Sequence, residues 1–402
     1  MSEPSPNQGF QRPVWDRGDP IDAAMLAFTV GDDWLQDRRL IEHDIRGSLA
    51  HVDGLLKVGL VEAHDHAAIR DGLTRLLESH RRSEWTVEPS DEDVHSAVER
   101  RLTELVGDAG KRLHTARSRN EQVAVDVRLW LRGASEQVGA QLTALRAAIT
   151  RIQARFGTLP LPGYTHLRRA MPSTIDAWLA AHARALGLDA DDLAQASKRW
   201  SECPLGSGAG YGVPLDLARE HVAKLLGFER AEQPVTLVQH SRGRAELGYV
   251  TALESIALDA GKLAIDLWLF STEEFGFARL PVAMTTGSSL MPHKRNPDLL
   301  ELIRAHSRQV AADRAALLDV IRDLPSGYHR DFQLIKPPLF RAHDRITAML
   351  PLLARLLDTL EFDETKLRAA CADPKLRSTE RALDQVRAGA TFRDAYRDEA
   401  NR

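Results

Sequence analysis

The sequence predicts an all-α protein whose centre is a bundle of five long helices, flanked by two smaller helical domains. Three observations carry this. Proline and glycine leave unusually long pieces of chain uninterrupted. Within those pieces apolar residues recur at spacings of three and four, the helical period. Alternating apolar and polar runs bounded by turns, the mark of half-buried strands, are almost absent. The 402 residues are 43% hydrophobic and 27% charged, enough for a large core and more than one domain.

Taken in order, the chain opens on "MSEPSPNQGFQRP". It has no apolar core, so it does not read as a secretion signal, and its polar, Pro-rich composition predicts a mobile arm. That arm belongs to an N-terminal domain, 1–114, of shorter helical segments. The central domain, 115–361, carries the five long helices. In 120–156, Val123, Val127, Trp130, Leu131, Ala134, Val138, Leu142 and Leu145 mark one face, and a helix of that length is roughly 50 Å long. The others are expected from Pro172 to Glu202, Arg244 to Phe270, Pro297 to about Leu324, and Pro338 to Leu360, the last kinked at Pro351. A short helical domain, 362–402, closes the chain. Helices this long present more apolar stripe than one chain easily covers, which favours a larger bundle shared between identical chains.

Bulk properties exclude several classes. A net charge of -4 argues against a generally basic nucleic-acid binder. Two cysteines, Cys203 and Cys371, make neither a metal spacing nor a disulfide framework, which points to a reducing, cytoplasmic setting. The most apolar stretch, "LAIDLWLF" at 263–270, is far below membrane-spanning length.

Six stretches carry candidate chemistry. In "PSDEDVHSAVERRL", 89–102, Ser90 and Asp93 resemble a capping box, while His95 and Glu99 stand one turn apart; as a metal pair they lack a second histidine pair, so no metal site is expected. "LHTARSRNEQVAVD", 113–126, crowds Ser118, Arg119 and Asn120 at the start of the longest helix. That suits carboxylate binding, or equally a helix cap by Asn120 with solvated arginines. "LPGYTHLRRAMPS", 161–173, puts Thr165 and His166 on a loop before a helix, either an acid–base group or a structural histidine. "PLGSGAGYGVP", 204–214, has Tyr211 where a dinucleotide fingerprint needs its third glycine, and reads as a tight connection requiring positive φ. "SGYHRDFQLIKPP", 326–338, sets Tyr328, Gln333 and Lys336 in a polar stretch between long helices, for a polar ligand or merely for a loop. "TTGSSLMPHKRNPD", 285–298, gathers Ser288, His293, Lys294 and Asn296 on one turn-rich loop.

Together these stretches resemble the fumarase/aspartase superfamily. "GSSLMPHKRNP" matches its signature loop, Gly-Ser-Ser-x-Met-Pro-x-Lys-x-Asn-Pro. Within it, "HTARSRNEQVAVDVRLW", "PGYTHLRRAMP", "EDVHSAVE", "LGSGA" and the Tyr328–Gln333–Lys336 spacing resemble the argininosuccinate lyases. The resemblance covers nearly the whole chain. It implies a 20-helix core completed in a homotetramer, with each active site shared between three subunits, and cofactor-free cleavage of argininosuccinate to arginine and fumarate. It implies Ser288 as general base, made an anion with help from Lys294, Gly287 giving the loop freedom to close. It implies His166 as the acid, oriented by Glu301. Ser118, Arg119 and Asn120 would hold substrate carboxylates, and His95, Thr165, Asn296, Tyr328, Gln333 and Lys336 match other substrate-binding positions.

The sequence also departs from that pattern. "MPHKRNP" carries His293 where these enzymes usually have glutamine, and there it is similar to adenylosuccinate lyase. "HSRGRAEL", 240–247, lacks the usual Ser-Asp-Arg-Asp, leaving Arg242 or Arg244 to take the contact. Asp33 stands where a serine contact often occurs, with Asp37 at the nearby acidic position, and the C-terminal domain is short. The alternatives are another fumarate-releasing lyase, chiefly adenylosuccinate lyase, or a non-catalytic crystallin-like protein.

Overall fold

The computed structural model describes residues 22–401, so the expected N-terminal arm lies outside the described residues. The elements, in chain order, are α1 Ala23–Val30, α2 Asp33–Asp37, α3 Ile41–Lys57, α4 Ala63–Arg81, α5 Val94–Val106 and α6 Arg119–Phe156. Then come β1 Pro160–Thr165, β2 Arg168–Thr174, α7 Ile175–Ala196, α8 Arg219–Leu225, α9 Leu237–His240 and α10 Arg244–Phe270. The chain ends with β3 Ala278–Arg279, α11 Asp298–Ile321, α12 Lys336–Thr359, β4 Glu361–Phe362, α13 Glu364–Cys371, α14 Ser378–Arg387 and α15 Phe392–Ala400. The fold is all-α, and α6, α7, α10, α11 and α12 are the five expected long helices. Packing divides the chain into two units. The first runs through Glu136 and adds Ala194–Thr251 and Asp313–Arg341; the second comprises Gln137–Leu193, Ala252–Ala312 and Ala342–Arg402.

In the first unit α3, α4 and α5 pack through fully buried Ile45, Val52, Leu55, Ile69, Leu73, Val98 and Leu102. Gly72 sets the closest approach: a Cβ there would meet Leu102 Cδ1 at 2.6 Å. α5 starts at Asp93, whose carboxylate accepts from Ser96 N–H at 2.7 Å. The capping box expected of Ser90 and Asp93 is not formed; Glu88 and Asp91 make one instead, on a separate 3₁₀ turn. Such a turn closes with a shorter repeat than the α-helix, so the chain needs a second start at Asp93. The early part of α6 is buried on nearly every side, with Trp130 edge-on to Tyr249 and Phe340.

In the second unit the expected helix from Pro172 is displaced. Residues 160–174 form an antiparallel hairpin, and α7 starts only at Ile175. Pro160, Pro162 and Pro172 have no N–H for helix bonds but are tolerated in a two-stranded ribbon with two free edges. His166 and Leu167 make its tip with φ of 55° and 56°, the backbone twist a two-residue hairpin favours. Behind it Trp178, Phe270, Phe275 and Phe277 form an edge-to-face cluster. Pro351 lies inside α12. It removes the N–H that would bond the Thr347 carbonyl, and that carbonyl accepts from Gln141 Nε2 on α6 at 3.2 Å instead. Leu258 on α10 and Leu302 on α11 remain 67% and 57% exposed, apolar side chains without cover in one chain.

Candidate active site

The first unit gathers His95, Ser118, Arg119, Asn120, Tyr328, Gln333 and Lys336. Ser118 caps α6: its Oγ accepts from Asn120 N–H at 3.3 Å, and Glu121 Oε1 accepts from Ser118 N–H at 3.3 Å. The cap is therefore Ser118, not Asn120, because a reciprocal Ser-x-x-Glu pair satisfies two orphan donors together. Glu121 also accepts from Gly208 N–H at 2.7 Å, tying the Gly-rich loop to the start of the helix. That loop takes positive φ at Gly206, Gly208, Gly210 and Gly212, as its composition predicts.

Charges in this region are buried and paired. Lys336, 3% exposed, lies 2.6 Å from Asp33 and also bonds Asp37. Burial would lower the Lys336 ammonium, but Asp37 and Asp33 raise it; burial pushes the Asp33 carboxyl up to about 7 despite that ammonium. His95 Nδ1 is 2.7 Å from Asp44 and 3.7 Å from Asp126. Burial opposes its charge, yet Asp44 beside it raises the imidazole above its usual value. Burial together with Asp44 and Asp37 holds the Asp126 carboxyl well above the carboxylate range. Among the described residues Asp44, His95 and Asp126 form one set able to hold a metal ion, their ligand atoms all within 4.8 Å of one another. Lys336 and Arg117 already act on Asp126 as counter-charges, which suits an ion network.

Arg119 donates to Asp93 at 3.0 Å, to Glu92 at 3.4 Å and to Ser96 Oγ at 2.8 Å. Its fork is thus held by two carboxylates, the chemistry a substrate carboxylate would offer. Gln333 donates to the Thr29 and Val30 carbonyls at the end of α1. Arg242, 6% exposed, donates to the Asn120 carbonyl at 3.0 Å and lies 5.8 Å over the Tyr328 ring. Of the two arginines offered for the missing contact, Arg242 reaches this region.

The second unit holds Thr165, His166, Ser288, Lys294, Asn296 and Glu301. Thr165 and His166 lie exposed at the hairpin tip. The signature loop is closed at its base by paired bonds between Thr286 and Asn296 of 3.1 and 2.8 Å, and Thr286 Oγ1 bonds Asp298. Asn296 Nδ2 donates to the Gly287 carbonyl at 3.2 Å. Ser288 Oγ accepts from the N–H groups of Met291 at 3.0 Å and Leu290 at 3.3 Å. Hydrogen bonds received in this way favour an oxyanion on that oxygen. Lys294 is exposed on the same loop. Within one chain no side-chain hydrogen bond joins Glu301 to His166.

Asp44, Asp126, Arg117 and Glu121 were not singled out from sequence. Only Glu121 had a local signal, the Ser-x-x-Glu spacing. No helix among the described residues is long and apolar enough to cross a membrane.

Comparison with known proteins completes the picture. A family model described as "Lyase" matches residues 16–312. Argininosuccinate lyase of Stenotrophomonas maltophilia (strain R551-3) is 43% identical over 387 residues, spanning 96% of this chain and 89% of that protein. Argininosuccinate lyase of Thermotoga neapolitana is 37% identical over 384 residues, spanning 96% of each. Two solved structures share the fold. EDDS lyase in complex with formate aligns with a TM-score of 0.82 at 22% identity, over 92% of this chain and 74% of that one. A fumarate lyase:delta crystallin from Brucella melitensis aligns at 0.77 and 21% identity, over 94% and 91%. The family model and these relatives define an enzyme of the carbon–nitrogen lyase class. The chain belongs to the argininosuccinate lyase family.

Proposed function

We propose that the protein cleaves argininosuccinate to arginine and fumarate, without a cofactor, as the last step of arginine synthesis in the cytoplasm. The observation that carries this reading is the pair of N–H bonds received by Ser288 Oγ. A neutral serine is too weak to deprotonate carbon next to a carboxylate; two fixed donors favour its anion, and Lys294 of the same loop adds positive charge when the loop closes. Ser288 takes the proton, and the electron pair moves into the carboxylate to give an aci-carboxylate. That intermediate collapses to fumarate, breaking the bond to the guanidinium nitrogen, which is protonated by His166 directly or through water. Arg119, Asn120 and Ser118 hold substrate carboxylates; His95, Thr165, Asn296, Tyr328, Gln333 and Lys336 line the remainder, and Glu301 orients His166. The assembly is a homotetramer in which three chains contribute to each site. Exposed Leu258 and Leu302 and the unpartnered loop cations support that reading.

Fumarate release, followed by its ultraviolet absorbance, tests the substrate. Turnover is expected with argininosuccinate and not with adenylosuccinate, and turnover only with adenylosuccinate would overturn the assignment. Light scattering of the purified protein tests the tetramer, which a monomeric mass would exclude.

A further inference from the structure

A cavity of about 450 Å³ in the first unit contains none of the residues assigned above to substrate. Its walls carry four cations, Arg128, Lys198, Arg199 and Arg244, against two carboxylates, Glu202 and Glu232. Both carboxylates are already engaged. Arg128, 5% exposed, pairs with Glu232 at 2.7 Å, and Arg230 pairs with Glu202. The side chains of Lys198, Arg199 and Arg244 have no hydrogen bond or ion pair with any described residue.

All three are exposed at the rim of one concavity, where their summed field favours an anion. Two further features are arranged for one. α10, 27 residues long, begins at Arg244, so its positive end is on the same wall. A Cβ at position 248 would stand 3.0 Å from Arg199 Cδ, so Gly248 lets the arginine stem lie against α10 beside the cavity. Contrast this with Arg119 and Lys336, which occupy carboxylates of the chain itself.

We propose that this cavity is a second ligand site, taking a small polyanion with two or more carboxylate or phosphate groups. Its volume suits a small metabolite rather than a macromolecule. Such a ligand would sit on the segment bearing Arg242, which carries the Asn120 carbonyl.

The test is calorimetric titration of the full chain with citrate and, separately, with pyrophosphate, fumarate being kept in excess to fill substrate carboxylate sites. At least one probe is expected to bind, more weakly as salt rises, with acetate far weaker. The double variant Arg199→Gln/Arg244→Gln is expected to lose about tenfold or more in affinity, with circular dichroism and turnover unchanged. Lys198→Glu, at another lining position, is expected to give a similar loss and guards against a folding defect in the first variant. Three results would overturn the proposal: neither probe binds, both variants bind like the parent, or fumarate displaces the probe. The proposal does not rest on the substrate's identity, since the variants read the cavity whether or not fumarate binds.

Discussion

Lys336 and Lys294 are both lysines that the sequence assigns to the site, and their surroundings are opposite. Lys336 is 3% exposed, clasped by Asp33 and Asp37. Lys294 is exposed on a loop, with no side-chain partner among the described residues. The same contrast separates their regions. In the first unit Lys336, Arg119 and His95 are each held by carboxylates of the chain itself, so these candidate site residues are positioned by the fold. In the second the loop bearing Ser288 is held, among the described residues, by its own backbone and by Thr286, Asn296 and Asp298. Binding geometry needs rigidity, whereas a loop that must exclude water has to move.

The largest expected effect tests the loop. Ser288→Ala removes the oxygen that receives the two N–H bonds, and turnover should fall by about 10³-fold or more. Thermal unfolding should be nearly unchanged, because nothing in the core depends on that oxygen. Near-parental fumarate release would remove Ser288 as the base.

The two lysines provide the next comparison. Lys336→Met strands Asp33 and Asp37 in the interior, which should cost about 3–5 kcal/mol in denaturant unfolding. Lys294→Met should cost less than about 0.5 kcal/mol, as other exposed substitutions do, while still lowering turnover. Equal destabilisation by both would break the contrast drawn here.

His51 and Asp189, one in each unit, act on stability with opposite pH dependence. Burial pushes His51 down to about 3, and His43 to about 4, in the first unit. Unfolded, these imidazoles bind protons from about pH 6.5 downward, so the folded state loses stability as pH falls from there toward 4. His51→Gln, which retains a donor for the Thr115 carbonyl, should flatten that acid-side loss. In the second unit burial, with Asp259 and Asp192, pushes the Asp189 carboxyl up to about 7. The folded state then holds the extra proton, and stability falls as pH rises from about 4 through 7. Asp189→Asn should therefore gain on the parent above pH 7 and not at pH 4. Denaturant midpoints across pH check both, and gains by the two variants in the same pH window would refute this assignment.

What could be read from sequence follows the range of the forces involved. α6 and α10 were legible nearly to the residue, since a helix's period and caps lie within its own sequence. The hairpin at 160–174 was missed, because three prolines hide the alternation and its pairing is made across the turn. The site's residue types were legible from loops and from the resemblance they carry. The burial of Asp44 and Asp126 beside His95 was not, since it exists only when α3, α5 and α6 meet.

The smallest effect concerns Gly287. The sequence suggests a glycine needed for loop freedom, yet its φ is not positive and a Cβ there would meet nothing within 4 Å. Neither strain nor a clash therefore requires glycine in this conformation. Gly287→Ala should alter stability by less than about 0.5 kcal/mol, and any gain should come from a less flexible unfolded chain. If the glycine serves closure, turnover should still fall severalfold, because the closed loop needs a backbone conformation that alanine disfavours. Unchanged turnover and unchanged stability together would mean that the loop closes about some other position. The Thr286–Asn296 base would then be the place to look, since its paired bonds tie the loop to the start of α11.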